Sequence, residues 1–204
     1  MNNIRSLYYL KAFGYEFIDK KLDFMPQSKD YEELRLRVQN CQLCPLSKRR
    51  RFCIMQNTFK HYDLMVVSDF LSTSENESKT LLNSTEGMKL KLLLKENLGL
   101  GREDFYMSYI YKCYSQNKDD DFALKQCLPY LFDELFFINP KIILCLGKQS
   151  FYHLGFEDFT RLRGEILHLH QSLIMPSFDV KFILKNPSFE QEFIKDLTKL
   201  KAFL

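Results

Sequence analysis

The chain has 204 residues, enough for one large domain with a sizeable core. Hydrophobic residues make up 46% and charged residues 27%, an ordinary globular composition, and no apolar run approaches the roughly 18 residues that a membrane span needs. The formal net charge of +3 is too small to argue for nucleic acid by itself.

In chain order, residues 2–20 carry Ile4, Leu7, Tyr8, Leu10 and Phe13 at roughly helical spacing. They lack the basic-then-apolar layout and cleavage site of a signal peptide, so a cytoplasmic protein is expected. Its six cysteines are then ligands or core residues rather than a disulfide framework. Residues 1–35 read as an N-terminal helical extension, a candidate protein-docking element, and 36–204 as the main domain. KDYEELRLRVQN (29–40) predicts a helix that ends at the cysteine pair of CQLC (41–44). The basic run Lys48, Arg49, Arg50 and Arg51 follows directly.

DLMVVSD (63–69) predicts a buried strand, and the Ser/Thr/Asn/Glu-rich stretch after it a loop. MKLKLLLKENLGL (88–100) predicts a helix ending near Gly99 and Gly101. DFYMSYIYKC (104–113) predicts a strand, and residues 122–139 a helix with Pro129 as its awkward point. PKIILCLG (140–147) is the clearest strand, and KQSFYHLGF opens another helix. EILHLH and SLIMPS predict a hairpin or a last strand; residues 187–204 predict a terminal helix with Phe189, Phe193, Leu197 and Leu200 on one face. Strands alternating with helices argue for an α/β domain with a mostly parallel sheet. Ligands of such sheets sit outside the C-terminal strand ends, here Ser68–Ser72, Ile110–Cys113 and Gly147–Gln149.

Cys41 and Cys44 have the spacing of two thiolates on one metal centre. Cys145 lies inside an apolar strand and reads as core. Cys113, at a strand end, and Cys127, early in a helix, can converge with the pair. Four thiolates suit zinc or an iron–sulfur cluster, and spacing does not choose between them. The four histidines show no paired ligand spacing, although His168 and His170 alternate on an expected strand.

From Cys41 to Ser188 the order of motifs resembles the family-four uracil-DNA glycosylases, the iron–sulfur branch of the uracil-DNA glycosylase superfamily. The carriers are CQLCPL, LMVVSDF, GLGREDFYMSYIYKC, CLPYLFDELFFINPKIILCLG, RLRGEI and KNPS. The resemblance implies a three-layer α/β/α sandwich, DNA as partner, single-stranded DNA included, and a [4Fe–4S] cluster on Cys41, Cys44, Cys113 and Cys127. It also implies a base pocket at Ser68, Phe70, Leu82 and Tyr109, catalytic positions at Asp69 and Asp179, and phosphate contacts from the basic run, Arg163 and Lys181.

The pocket departs from the family pattern. The first motif is SDFLS, with Asp69 for the family's glutamate; Leu82 stands for a stacking phenylalanine, Tyr109 for the asparagine that reads uracil, and Asp179 for a histidine. Cleaving the N-glycosidic bond builds negative charge on the leaving base, which an ionised Asp179 would oppose. Loss of the asparagine relaxes or abolishes base choice. The competing readings are a loop or helix cap for Asp69, a turn residue for Asp179 and solvated charge for the basic run. Two function classes follow: a cluster-bearing DNA-binding protein with lost or strongly altered excision, and an active divergent glycosylase. A zinc-stapled protein without a nucleic-acid role is a weaker third.

Overall fold

The computed structural model describes residues 26–57, 59–115 and 120–204; the helix expected over 2–20 lies outside the described residues. Helix α1 (Tyr31–Gln39) opens with Asp30, whose side chain accepts from the Glu33 backbone N–H. It spans the boundary expected at 35/36, and its Tyr31, Leu34 and Val38 are buried in the domain core. The residues just before it are tied down too: the backbone N–H groups of Gln27 and Ser28 donate to Asp133, at 3.0 and 3.1 Å.

Among the described residues five strands form one sheet: β1 (Leu64–Ser68), β2 (Phe105–Tyr109), β3 (Ile142–Leu146), β4 (Leu167–Leu169) and β5 (Ser172–Ser177). Their order is β2-β1-β3-β5-β4. The first four in that order are parallel, and β4 closes the edge as an antiparallel hairpin partner of β5. The central strands are buried on both faces, so they read as continuous apolar runs rather than alternating ones.

Alternation still decides which layer each residue feeds. Met65, Val67, Ile143 and Cys145 face one layer, with α1, α4 (Asp121–Ile138) and Phe151 of α5 (Lys148–His153). Leu64, Val66, Ile142 and Leu144 face the other, with α3 (Thr85–Leu98), α7 (Val180–Lys185) and α8 (Glu190–Leu200). The result is the expected α/β/α sandwich with a mostly parallel sheet. Cys145 is fully buried in the first layer, as a core cysteine should be.

Several elements depart from expectation. The polar stretch expected as a loop holds a short helix, α2 (Thr73–Ser78). The terminal helix does not start at Pro187: a 3-10 turn over Pro187–Phe189 precedes α8. Helices α6 (Phe159–Leu162) and α7 were not anticipated. His170 falls in the turn after β4 with φ 54°, so it does not alternate with His168 on a strand. Among the described residues no helix is long and apolar enough to cross a membrane.

Candidate functional site

The C-terminal ends of the parallel strands open into a cavity of about 720 Å³. That size is within the usual range for a small-molecule or nucleobase site. Its walls include Ser68, Asp69, Phe70, Leu82, Tyr109, Asp179 and Lys181. Every expected base-pocket and catalytic residue therefore meets in one place, together with Lys181.

Glu75, in the stretch expected as a loop, organises the wall. It is only 1% exposed and carries four hydrogen bonds. Ser72 N–H and Oγ donate to its Oε2 at 2.8 and 2.7 Å, and the Glu75 N–H donates back to Ser72 Oγ at 3.2 Å, so that the two backbone bonds form the capping box of α2. Leu82 N–H (2.7 Å) and Tyr109 Oη (2.6 Å) donate to its Oε1. The spacing Ser72-x-x-Glu75 is the signal that would have found it. Burial, and then the Glu75 charge, hold the Tyr109 phenol well above its usual pKa, so its proton stays on.

Leu82 has φ +59°, a left-handed backbone that costs a side-chain-bearing residue energy. Glu75 holds its N–H, and Gly87 at the first turn of α3 leaves room for it. A Cβ at Gly87 would meet Leu82 Cα at 2.5 Å. Gly147, with φ +90°, plays a similar part between β3 and α5; a Cβ there would come within 3.2 Å of Asp179 Cβ.

The two candidate catalytic acids are held differently. Asp69 Oδ1 accepts from Ser150 Oγ at 2.7 Å. Asp179 is the N-cap of α7 and its Oδ1 accepts from the Lys181 N–H at 3.2 Å. A carboxylate on the cavity wall can orient a water or accept a proton. A carboxylate cannot donate to a leaving base anion while ionised.

Cys41, Cys44, Cys53, Cys113 and Cys127 share a corner beside this cavity. Cys113 is followed at once by Tyr114 and Ser115, both on the cavity wall, and Tyr114 Oη lies 3.0 Å from Thr73 Oγ1 of α2. All six cysteines are unbridged. The Cys44 thiol is electrostatically coupled to Cys113 and Cys41, and the Cys127 thiol to Cys113 and Cys44. Burial pushes Cys127 up to about 12.

Cys53, unassigned from sequence, stands opposite Cys113 with the two Sγ atoms 3.5 Å apart. Their hydrogen bond is the main influence lowering the Cys113 thiol pKa; burial opposes it, and Arg50 adds to the fall. Among the described residues, no group of three or more His, Cys, Asp or Glu side chains stands placed to hold a metal ion.

The expected DNA contacts divide. Lys48, Arg49 and Arg51 are exposed, and the Arg51 backbone N–H reaches Asn76 of α2, placing the run beside the cavity's rim. Arg50 turns inward, donating to Cys113 Sγ at 3.2 Å and to the Gln39 carbonyl at 3.0 Å. Arg163 is spent on packing. It pairs with Asp196 (2.7 Å) and Glu192 (2.8 Å) of α8 and lies over the Phe178 ring. Lys181 is exposed on the wall itself.

A parallel sheet in three layers, with its cavity at the strand ends and walls from the first turns of the following helices, defines an α/β protein whose ligand site lies outside the carboxyl ends of its strands. The sequence matches the Uracil DNA glycosylase superfamily over residues 58–201, and the chain belongs to that family. It is similar to the type-4 uracil-DNA glycosylase of Saccharolobus solfataricus, 26% identical over 179 residues that cover 82% of this chain and 83% of that protein. The type-4 uracil-DNA glycosylase of Sulfurisphaera tokodaii is 25% identical over 182 residues, 83% of each chain. That of Pyrobaculum aerophilum is 25% identical over 181 residues, 82% of this chain and 91% of its own.

Proposed function

We propose that this chain is a [4Fe–4S] protein that binds DNA at the cavity mouth and has lost the family's uracil-excising chemistry. One observation carries it: Tyr109 fills the base-reading position, 5% exposed, with its hydroxyl committed to buried Glu75. A phenol so held offers the cavity no donor for a uracil carbonyl. A site that cannot pair a specific base edge loses its discrimination. Asp179, capping α7, places a carboxylate where a donor to the leaving base would be needed, a loss on the order of a hundredfold or more in rate.

Four unbridged thiols from three segments are the donor set of a [4Fe–4S] cluster. Cys41, Cys44, Cys113 and Cys127 are the residues that would hold it. Such a cluster spans a wider gap than a single ion, whose bonds to sulfur are about 2.3 Å. Bound there, it would tie the end of α1 and the loop after β2 to the start of α4. DNA as partner is supported by the family and by Lys48, Arg49, Arg51 and Lys181 beside the cavity.

A second reading rests on Asp69, which Ser150 fixes on the wall in a pose able to orient a water. In that reading the chain is an active glycosylase with a new base preference. One assay separates the two. Anaerobically purified protein is incubated with uracil-containing single- and double-stranded DNA, followed by alkaline cleavage and a gel-shift on the same strands. Shifted DNA without abasic product is the expected result. Abasic product that vanishes in Asp69→Asn would establish the second reading, and absence of both product and shift would sink the first.

A further inference from the structure

The proposed ligand set leaves two buried cysteines over: Cys145 inside β3, and Cys53, which faces another thiol. It lies in an isolated antiparallel bridge, Cys53 opposite Cys113. The Ile54 N–H donates to the Lys112 carbonyl at 3.1 Å and fixes that pairing. Residues directly opposite in an antiparallel pair have Cα atoms about 4.5–5.5 Å apart. A disulfide needs about 4.4–6.8 Å, so the backbone already satisfies it. The sulfurs, 3.5 Å apart, face each other and both side chains are buried. Closing the bond requires a small turn of each side chain and no backbone movement.

We propose that Cys53 and Cys113 form a disulfide whenever the protein lacks its cluster, so that oxidation occupies one ligand position and blocks loading. The step is a two-electron oxidation. The two S–H bonds break, one S–S bond forms, and two protons and two electrons pass to a peroxide, which becomes two waters. With Cys113 spent, only three of the four proposed thiolates are left. A thiol reductant reverses the step by exchange. The blocking role rests on the cluster reading; the pair itself rests on the bridge.

The test uses the full chain, purified without oxygen, and the same protein stripped of metal by chelator. Each is treated with one equivalent of hydrogen peroxide, alkylated and digested with trypsin without reduction. Cleavage after Arg51, Lys60, Lys112 and Lys118 yields peptides 52–60 and 113–118, each with a single cysteine. The expected result is their linked product in the stripped protein and none in the loaded one. Iron uptake by the oxidised protein should fall at least tenfold and return after dithiothreitol.

Cys53→Ser, with Cys53→Ala as a second variant and circular dichroism as the folding check, should lose the linked product and keep its full iron content. Cys53 left free while Cys113 joins another cysteine would overturn the proposal. So would iron loss in both folded Cys53 variants, which would make Cys53 a ligand. Linkage in the protein as purified, before stripping, would sink the cluster reading and leave the pair standing.

Discussion

The cysteine corner and the cavity sit side by side, joined through Cys113, Tyr114 and Ser115, yet their side chains are in opposite states. In the corner all the thiols are unbridged, and their surroundings are arranged around them: Arg50 donates to Cys113 and Tyr130 lies against Cys41. In the cavity the polar groups are already bonded to one another. Glu75 serves four donors and Asp179 serves its own helix. The thiols are unbridged but not without neighbours, since Cys113 meets both Cys53 and Arg50, and they are the donors that the proposed cluster would use. A wall whose hydrogen bonds close on themselves leaves Glu75 and Tyr109 few groups to offer a ligand.

The sharpest way to break that comparison is at the joint between the two regions. Lys112, 2% exposed, donates to the Tyr109 carbonyl (2.7 Å), Ser108 Oγ (2.8 Å) and Glu134 (2.5 Å). Glu134 also accepts from Tyr106 Oη at 3.0 Å and from Ser108. Removing one member of such a buried pair leaves an uncompensated charge and costs about 3–5 kcal/mol. Glu134→Ala should therefore lower unfolding free energy by that amount in urea titration. Glu165→Ala, which removes the partner of Lys199 in an exposed pair at 3.4 Å, should change it by less than about 0.5 kcal/mol. Similar losses in both would mean that the joint is not buried as described.

A smaller effect is expected inside the cavity. Gly87→Ala drives a methyl into the Leu82 backbone, and overpacking of this kind costs about 1–3 kcal/mol. The cavity wall should shift with it, so DNA affinity should fall while iron content stays unchanged. Iron loss in the folded variant would show that the two regions are one unit, not neighbours.

The pattern explains what the sequence disclosed. Strands β1 and β3 are legible because burial on both faces leaves apolar residues throughout β3 and everywhere in β1 but its last position, Ser68. The cavity residues were legible because a parallel sheet presents its strand ends to one side. Glu75 was missed because a short helix in a polar stretch has no apolar period to reveal it; only the capping box betrays it. Arg163 and Arg50 could not be told from solvated cations by sequence. Their carboxylate and thiol partners lie 29 to 63 residues away in the chain. Cys53 was left without a role for the same reason, its partner being 60 residues distant.

The closed wall also has a signature in alkali. Burial and the Glu75 charge raise the Tyr109 pKa, burial and the Glu134 charge raise that of Tyr106, and burial and the Asp69 charge push Tyr111 up to about 12. A phenol whose pKa is raised by folding gives stability that is full below the unfolded value near 10. That stability is lost as pH climbs from there toward the folded values. The phenols' share of the urea midpoint should be flat up to about pH 10 and fall beyond it, on top of any earlier fall from buried thiols such as Cys127. In Glu75→Gln the fall should be shallower, because one charge opposing the Tyr109 phenolate is gone. An equal slope in wild type and variant would separate Tyr109 from Glu75.

The smallest expected effect distinguishes the corner from the surface next to it. Each phosphate contact contributes about 0.7–0.9 to the slope of log affinity against log salt. Lys48, Arg49 and Arg51 are exposed beside α2, whereas Arg50 is bonded to Cys113 and Gln39. Replacing the three exposed residues by Ala should reduce the slope by about 2 while iron content and unfolding free energy stay constant. Arg50→Ala should leave the slope within about 0.3 of wild type and act instead on the thiols, seen as slower or incomplete iron loading. If Arg50 alone carried the salt dependence, the run would belong to the DNA-binding face in one piece, and the division between a committed corner and a free basic edge would be wrong.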